Sequence, residues 1–120
     1  MFRKEVEETE QEVLLFLITE DCDFCHELVN KRIINDFAKT VRYSPNFKIM
    51  IMDAMKNDLP EEYSMQYLPH VMFTGKEKDT YRPKTWINKK YDLDDLRKFL
   101  HEHSEEFKKI DKKYRQKVDL

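Results

Sequence analysis

Val13-Leu14-Leu15-Phe16-Leu17-Ile18-Thr19-Glu20-Asp21-Cys22-Asp23-Phe24-Cys25-His26-Glu27-Leu28-Val29-Asn30-Lys31 is the stretch around which the chain is organised. It holds the only two cysteines, Cys22 and Cys25, with two residues between them. The run from Glu12 to Ile18 is of strand length and continuously apolar after its first residue, which predicts a strand buried on both faces. Thr19-Glu20-Asp21 is polar and turn-like, and Asp21 is a candidate helix cap. Glu27 to Lys31 reads as helix. The cysteine pair therefore falls where a strand hands over to a helix. At a helix N-terminus, unpaired backbone N–H groups and the macrodipole favour a thiolate on the first cysteine. The second cysteine lies one turn on, so the two sulfurs can close a small, reducible ring. C-x-x-C beside a strand–helix unit is a redox-motif pattern.

Two other readings of the pair stay open at this level. A zinc site needs about four ligands. The chain has four histidines but no second C-x-x-C, so a mixed site would have to recruit His26 or His70. Alternatively, both thiols are buried and unreactive, since a free cysteine packs as a small hydrophobe. The redox pair is the reading we carry forward.

The chain has 120 residues, enough for one domain with its own core. With 40% hydrophobic and 38% charged residues it reads as a globular domain with a heavily charged surface. A net charge of −2 offers no basic field for nucleic acid. Gly75 is the only glycine, which excludes Gly-rich phosphate-binding loops. No apolar run approaches the ~20 residues of a membrane span, so no membrane association is expected. The N-terminus, rich in Glu and without an apolar stretch, does not read as a signal peptide.

In chain order, residues 1–11 are an acidic N-terminal segment or linker. A helix is expected from about Asp23 to about Val41, with Leu28, Ile33, Phe37 and Val41 at roughly helical spacing. Ser44-Pro45-Asn46 ends it, and Phe47 to Met52 is a second strand, parallel to the first if the helix crosses over between them. Pro60 to Gln66 reads as a short helix. His70 to Thr74 is a third strand, and Gly75-Lys76 turns into a fourth around Thr80–Ile87, irregular or at an edge because of Pro83. Asp92 caps a last helix. Leu93, Leu96, Leu100, His103, Phe107 and Ile110 trace its apolar stripe, which makes His103 a partly buried core histidine. Residues 12–104 form the domain; 105–120 are a charged helical extension and tail.

The order strand–CxxC–helix–strand–helix–X-Pro–strand–strand–helix is similar to the thioredoxin fold: α/β, with a central mixed sheet of about four strands flanked by helices. Over about residues 12–104 the chain resembles the catalytic domains of protein disulfide isomerases, most closely their C-terminal one. The residues that carry this are Pro45-Asn46-Phe47, Met52-Asp53-Ala54, Asn57-Asp58-Leu59-Pro60, Tyr63 and Leu68-Pro69. The resemblance implies that Cys22 attacks a client disulfide and Cys25 resolves the mixed disulfide. It implies a cis Pro69, facing the pair and presenting backbone to an extended client, with Phe24, Leu68 and His70 as neighbouring substrate contacts. No cofactor or metal is implied. The implied partners are cysteine-containing polypeptides and glutathione or another thiol–disulfide donor. The ending Lys117-Val118-Asp119-Leu120 resembles a Lys-Asp-Glu-Leu retrieval tail and implies the lumen of the endoplasmic reticulum. The alternative location is the cytoplasm. The family domain has a further strand and helix ahead of its CxxC strand; residues 1–11 are too short for both, so the resemblance leads to the expectation of an excerpt of a longer precursor, the other expectation being a cytosolic protein.

The departures also carry expectations. The family's Trp-Cys-Gly-His-Cys is replaced by Asp21-Cys22-Asp23-Phe24-Cys25. The histidine between the cysteines is lost, and Glu20, Asp21 and Asp23 oppose a nearby thiolate. The family's charged pair beneath the site falls at Phe16 and Ile51, both expected to be buried on their strands. The expected activity is thiol–disulfide exchange of the disulfide-isomerase type. The alternatives are a redox-slow, chaperone-like binding module and a cytosolic thioredoxin-like reductase.

Overall fold

β1 (Glu12–Ile18) runs through the middle of the protein. The computed structural model describes residues 9–42, 44–56, 68–75, 83–87 and 92–118, with side chains through Lys112. Val13 through Leu17 are fully buried. At roughly 1.5–3 kcal/mol for each large apolar side chain removed from water, five in a row commit this segment to the centre of a sheet. β2 (Phe47–Asp53) pairs with β1 in parallel, from Glu12↔Phe47 to Ile18↔Asp53. β3 (His70–Thr74) pairs with its other side antiparallel, from Leu17↔His70 to Val13↔Thr74. β4 (Lys84–Trp86) pairs antiparallel with β3. Among the described residues the result is a four-stranded mixed sheet, as expected, and its order is β2-β1-β3-β4.

Alternation along β1 divides the core between the two sheet faces. Leu14 and Phe16 join Leu28, Ile33, Phe37, Phe47, Phe73, Leu96, Leu100 and Phe107 in the larger cluster, so the helices cover this face. Val13, Leu15 and Leu17 join Ala54 and Met72 on the other, with Met50, Met52 and Leu68 packed against them.

The helix expected over residues 23–41 is two helices, α1 (Asp23–Asn30) and α2 (Ile33–Val41). Arg32 between them is left-handed, with φ 60. That conformation costs about 1–2 kcal/mol for a residue with a Cβ. The reason lies in the apolar spacing. Leu28 and Ile33 are five residues apart, which on one helix rotates the second by roughly 140° off the first residue's face. The break restores the phase and buries Leu28 together with Ile33 and Ile34.

The last helix is broken as well. α3 (Leu93–His103) and α4 (Glu105–Val118) meet at Ser104, which is extended, with φ −115 and ψ 117. Ser104 caps α4 by accepting from Phe107 N–H at 2.9 Å. Its hydroxyl donates to the buried carboxylate of Glu12 at the start of β1. The inward stripe is therefore Leu96, Leu100, Ser104, Phe107 and Asp111. His103, expected on the stripe, is exposed and lies against Phe99 at 4.9 Å between ring centres. Asp111 is buried instead, and accepts from His101 Nε2 at 2.7 Å. The expected Asp92 cap is present, accepting from Asp94 N–H at 2.9 Å. The expected helix 60–66 lies outside the described residues. Among the described residues, no helix is long and apolar enough to cross a membrane.

Candidate dithiol site

β1 ends at Ile18, and a turn through Glu20 and Asp21 delivers the chain to α1. The helix cap is Cys22, not the expected Asp21. Cys22 is extended, with φ −107 and ψ 112, and its Sγ accepts from Cys25 N–H at 3.1 Å. A sulfur in the capping position receives the N–H dipole that an oxygen receives in an ordinary cap, and such a contact favours its anion. Cys22 and Cys25 are joined in a disulfide. Cys22 is partly exposed, whereas Cys25 is 2% exposed behind it.

The register places Pro69 at the same end of the sheet. Leu17, five residues ahead of Cys22, pairs with His70, the neighbour of Pro69. The Leu68–Pro69 bond is cis and Pro69 is buried, in keeping with the expectation for this position. The other expected contacts separate. Phe24 is 61% exposed on α1, open to solvent beside the pair. Leu68 packs with the Leu17 cluster, and His70 pairs with Leu17 across β1 and β3, so both side chains turn to the face away from α1. His70 Nε2 lies 3.4 Å from Thr85 Oγ1. Burial lowers the imidazole below its ordinary value and keeps it neutral. Of the tail, Lys117 and Val118 are the last residues of α4, and Asp119 and Leu120 lie outside the described residues.

Two residues at this end were not singled out from the sequence for the exchange. Lys56, just past β2, lies 3.9 Å from both Glu20 and Asp53, bringing a cation toward the acidic turn. Lys56 and Glu20 are exposed, Asp53 is half-buried, and such pairs are individually weak. His26 Nε2 lies 2.6 Å from the carbonyl oxygen of Glu20. Neither carries a local sequence signal, because both contacts depend on how the turn folds back. Among the described residues, no group of three or more His, Cys, Asp or Glu side chains could hold a metal ion.

Solved structures share this fold. The germline-specific thioredoxin Deadhead of Drosophila melanogaster matches with a TM-score of 0.61 at 18% identity, over 85% of this chain and 90% of that one. A thioredoxin of Fasciola hepatica matches with a TM-score of 0.61 at 18% identity, over 86% and 91%. A malarial protein matches with a TM-score of 0.54 at 16% identity, over 78% and 98%. The fold is thioredoxin-like. No protein-family model and no curated protein matches the chain.

Within this thioredoxin-like sheet, the positions expected beneath the pair differ from each other. Phe16 is fully buried, as expected. Ile51, its partner across β1 and β2, is 52% exposed rather than buried. Exposure on this face of β2 rises toward the disulfide end. Phe47 is buried, Ile49 is partly buried, and Ile51 is open. No charged side chain takes either position.

Proposed function

We propose that the protein is a thiol–disulfide oxidoreductase acting on polypeptide clients through Cys22 and Cys25. One observation carries the reading: the two cysteines form a disulfide at the start of α1, one sulfur reachable and capping the helix, the other buried behind it. In the reduced protein, the Cys22 thiolate attacks one sulfur of a client disulfide. The client S–S bond breaks, its other sulfur leaves as a thiolate, and a mixed disulfide forms. Cys25 then loses its proton and attacks Cys22 Sγ. The mixed disulfide breaks, the second client thiolate leaves, and the Cys22–Cys25 bond forms. Two electrons have passed from the pair to the client. Oxidised, the pair runs the sequence in reverse and donates its disulfide, with glutathione as the low-mass exchange partner.

At the finer level, we propose activity of the disulfide-isomerase type on extended, cysteine-containing segments that pass Pro69, in the lumen of the endoplasmic reticulum. The resemblance carried by Pro45-Asn46-Phe47, Met52-Asp53-Ala54 and Leu68-Pro69, together with the Lys117–Leu120 ending, supports it. Deleting those four residues should cause secretion; unchanged localisation would refute the compartment.

The test of the activity is a glutathione titration of the purified protein, read by mass as disulfide against dithiol, followed by alkylation of the reduced form. Reversible cycling and faster labelling of Cys22 than of Cys25 are expected. A disulfide that glutathione leaves untouched would end the oxidoreductase reading. It would favour a redox-slow client-binding module, for which the exposed Phe24 and the 76% exposed Met55, at the disulfide end of the sheet, supply apolar contacts.

A further inference from the structure

His26 has no part in the exchange described above, yet it holds the chain on both sides of Cys22. Its backbone N–H donates to Cys22 O at 3.1 Å. Its ring reaches back past Cys22 to the carbonyl oxygen of Glu20, with Nε2 at 2.6 Å. A carbonyl oxygen only accepts, so Nε2 carries a hydrogen and donates it. The direction follows from helix geometry: side chains lean toward the N-terminus, and His26 lies one turn beyond the capping residue. The ring thus closes a loop over residues 20–26 that contains both cysteines.

We infer that His26 is a positioning residue of the dithiol pair: its Nε2–H bond to Glu20 holds the turn between β1 and α1 so that Cys22 Sγ stays on Cys25 N–H. This rests on the oxidoreductase reading for its purpose. In the oxidised protein the disulfide itself fixes the two residues. Once reduced, Cys22 relies on backbone contacts and this clasp to keep its capping position. The clasp matters because, among the described residues, the side chains around Cys22 do not favour an anion. Phe24 has no polar side-chain atom, Asp21 and Asp23 oppose a negative sulfur, and Lys56 lies against the carboxylates of Glu20 and Asp53. The N–H contact from Cys25 is the directed stabilisation on hand, and it requires the extended conformation of Cys22.

The experiment compares the reduced wild-type chain with His26→Ala and His26→Gln. Cys22 labelling by iodoacetamide is followed by peptide mass across pH 5 to 10. Glutamine can donate its amide N–H to the Glu20 carbonyl; alanine cannot. Among the described residues, the charged groups around the turn are Glu20, Asp21, Asp23, Glu27, Asp53 and Lys56, and all are unchanged in both variants. His26→Ala is expected to label about fivefold more slowly at neutral pH, the equilibrium worth of one ordinary hydrogen bond, with its pH midpoint moved upward. His26→Gln should retain most of the wild-type rate and midpoint. A wild-type profile in His26→Ala would overturn the inference, even if its melting temperature falls. A His26→Gln profile as slow as that of His26→Ala would overturn it too, since the donor would then not be the cause. Labelling needs no client, so the two readings fail separately. Wild type that will not cycle with glutathione ends the oxidoreductase reading, and a cycling wild type with three equal profiles ends this one alone.

Discussion

Cys22 and Cys25 differ in access, and that difference sets the order of events in the proposed exchange. Cys25 is buried and Cys22 is partly exposed, so a client disulfide meets Cys22 first. Cys25→Ala should therefore accumulate a mixed disulfide with a cysteine-containing client on a non-reducing gel, and Cys22→Ala should accumulate none. Equal trapping by both variants would contradict this order. His70 makes a separate prediction about pH. Burial lowers its folded-state pKa below the ordinary value of about 6.5, so the unfolded chain binds the proton more readily. The stability contributed by neutral His70 is complete above about pH 6.5 and is lost as pH falls toward the lowered folded value. Denaturant midpoints measured at pH 7.5 and 5 should fall less in His70→Phe than in wild type, because carboxylate titration is common to both. An equal fall would show that His70 does not carry this dependence.

The elements are held by residues at their ends as much as by their apolar faces. Ser104 breaks the C-terminal helix, caps α4 and donates to Glu12, joining the start of β1 to the α3–α4 corner. Ser104→Ala removes the cap and leaves the buried Glu12 carboxylate short of a donor. About 1–3 kcal/mol of destabilisation is expected in urea unfolding; a loss well under 0.5 kcal/mol would mean the corner is not a joint. The two strands under the disulfide should respond unequally to charge. Phe16→Glu buries an unpaired carboxylate in β1 and should cost about 3–5 kcal/mol. Ile51→Lys, on the open end of β2, should be tolerated within about 0.5 kcal/mol. Comparable losses in the two variants would show that Ile51 is covered in solution.

Across the whole molecule, four phenylalanines connect the C-terminal helix to the sheet. Phe107 stacks on Phe37 at 5.5 Å, Phe37 meets Phe47 at 5.9 Å, and Phe47 stacks on Phe73 at 6.2 Å. His101 meets the edge of Phe107 at 5.2 Å and donates to buried Asp111, which holds α4 against α3. Residues late in the chain are thus part of the core that supports β1 and, through β1, the cysteine turn. Phe107→Ala should cost about 3–5 kcal/mol by equilibrium unfolding. A loss under about 1 kcal/mol would mean that α4 is an appendage and not part of the core.

β1 was legible because five consecutive apolar residues have no other stable place than the middle of a sheet, and β3 and the Asp92 cap were legible from equally local signals. The order of elements around Cys22, Cys25 and the X-Pro at Leu68–Pro69 was enough to indicate the thioredoxin-like fold. The break at Arg32 was present in the five-residue step from Leu28 to Ile33, and the break at Ser104 in Ser104-Glu105-Glu106, a helix-start pattern inside a longer apolar stripe. Both were masked by the continuity of the pattern around them. Other features had no local signal. Ser104 meets Glu12 across 92 positions. Ile51 is open at the disulfide end of β2, His70 faces away from α1 because of the β1–β3 register, and His26 reaches Glu20 because the turn folds back over it. Local order along a chain is set by periodicity and caps, which depend on neighbouring residues; which side chain meets which, and which stays in water, is decided only when the elements pack.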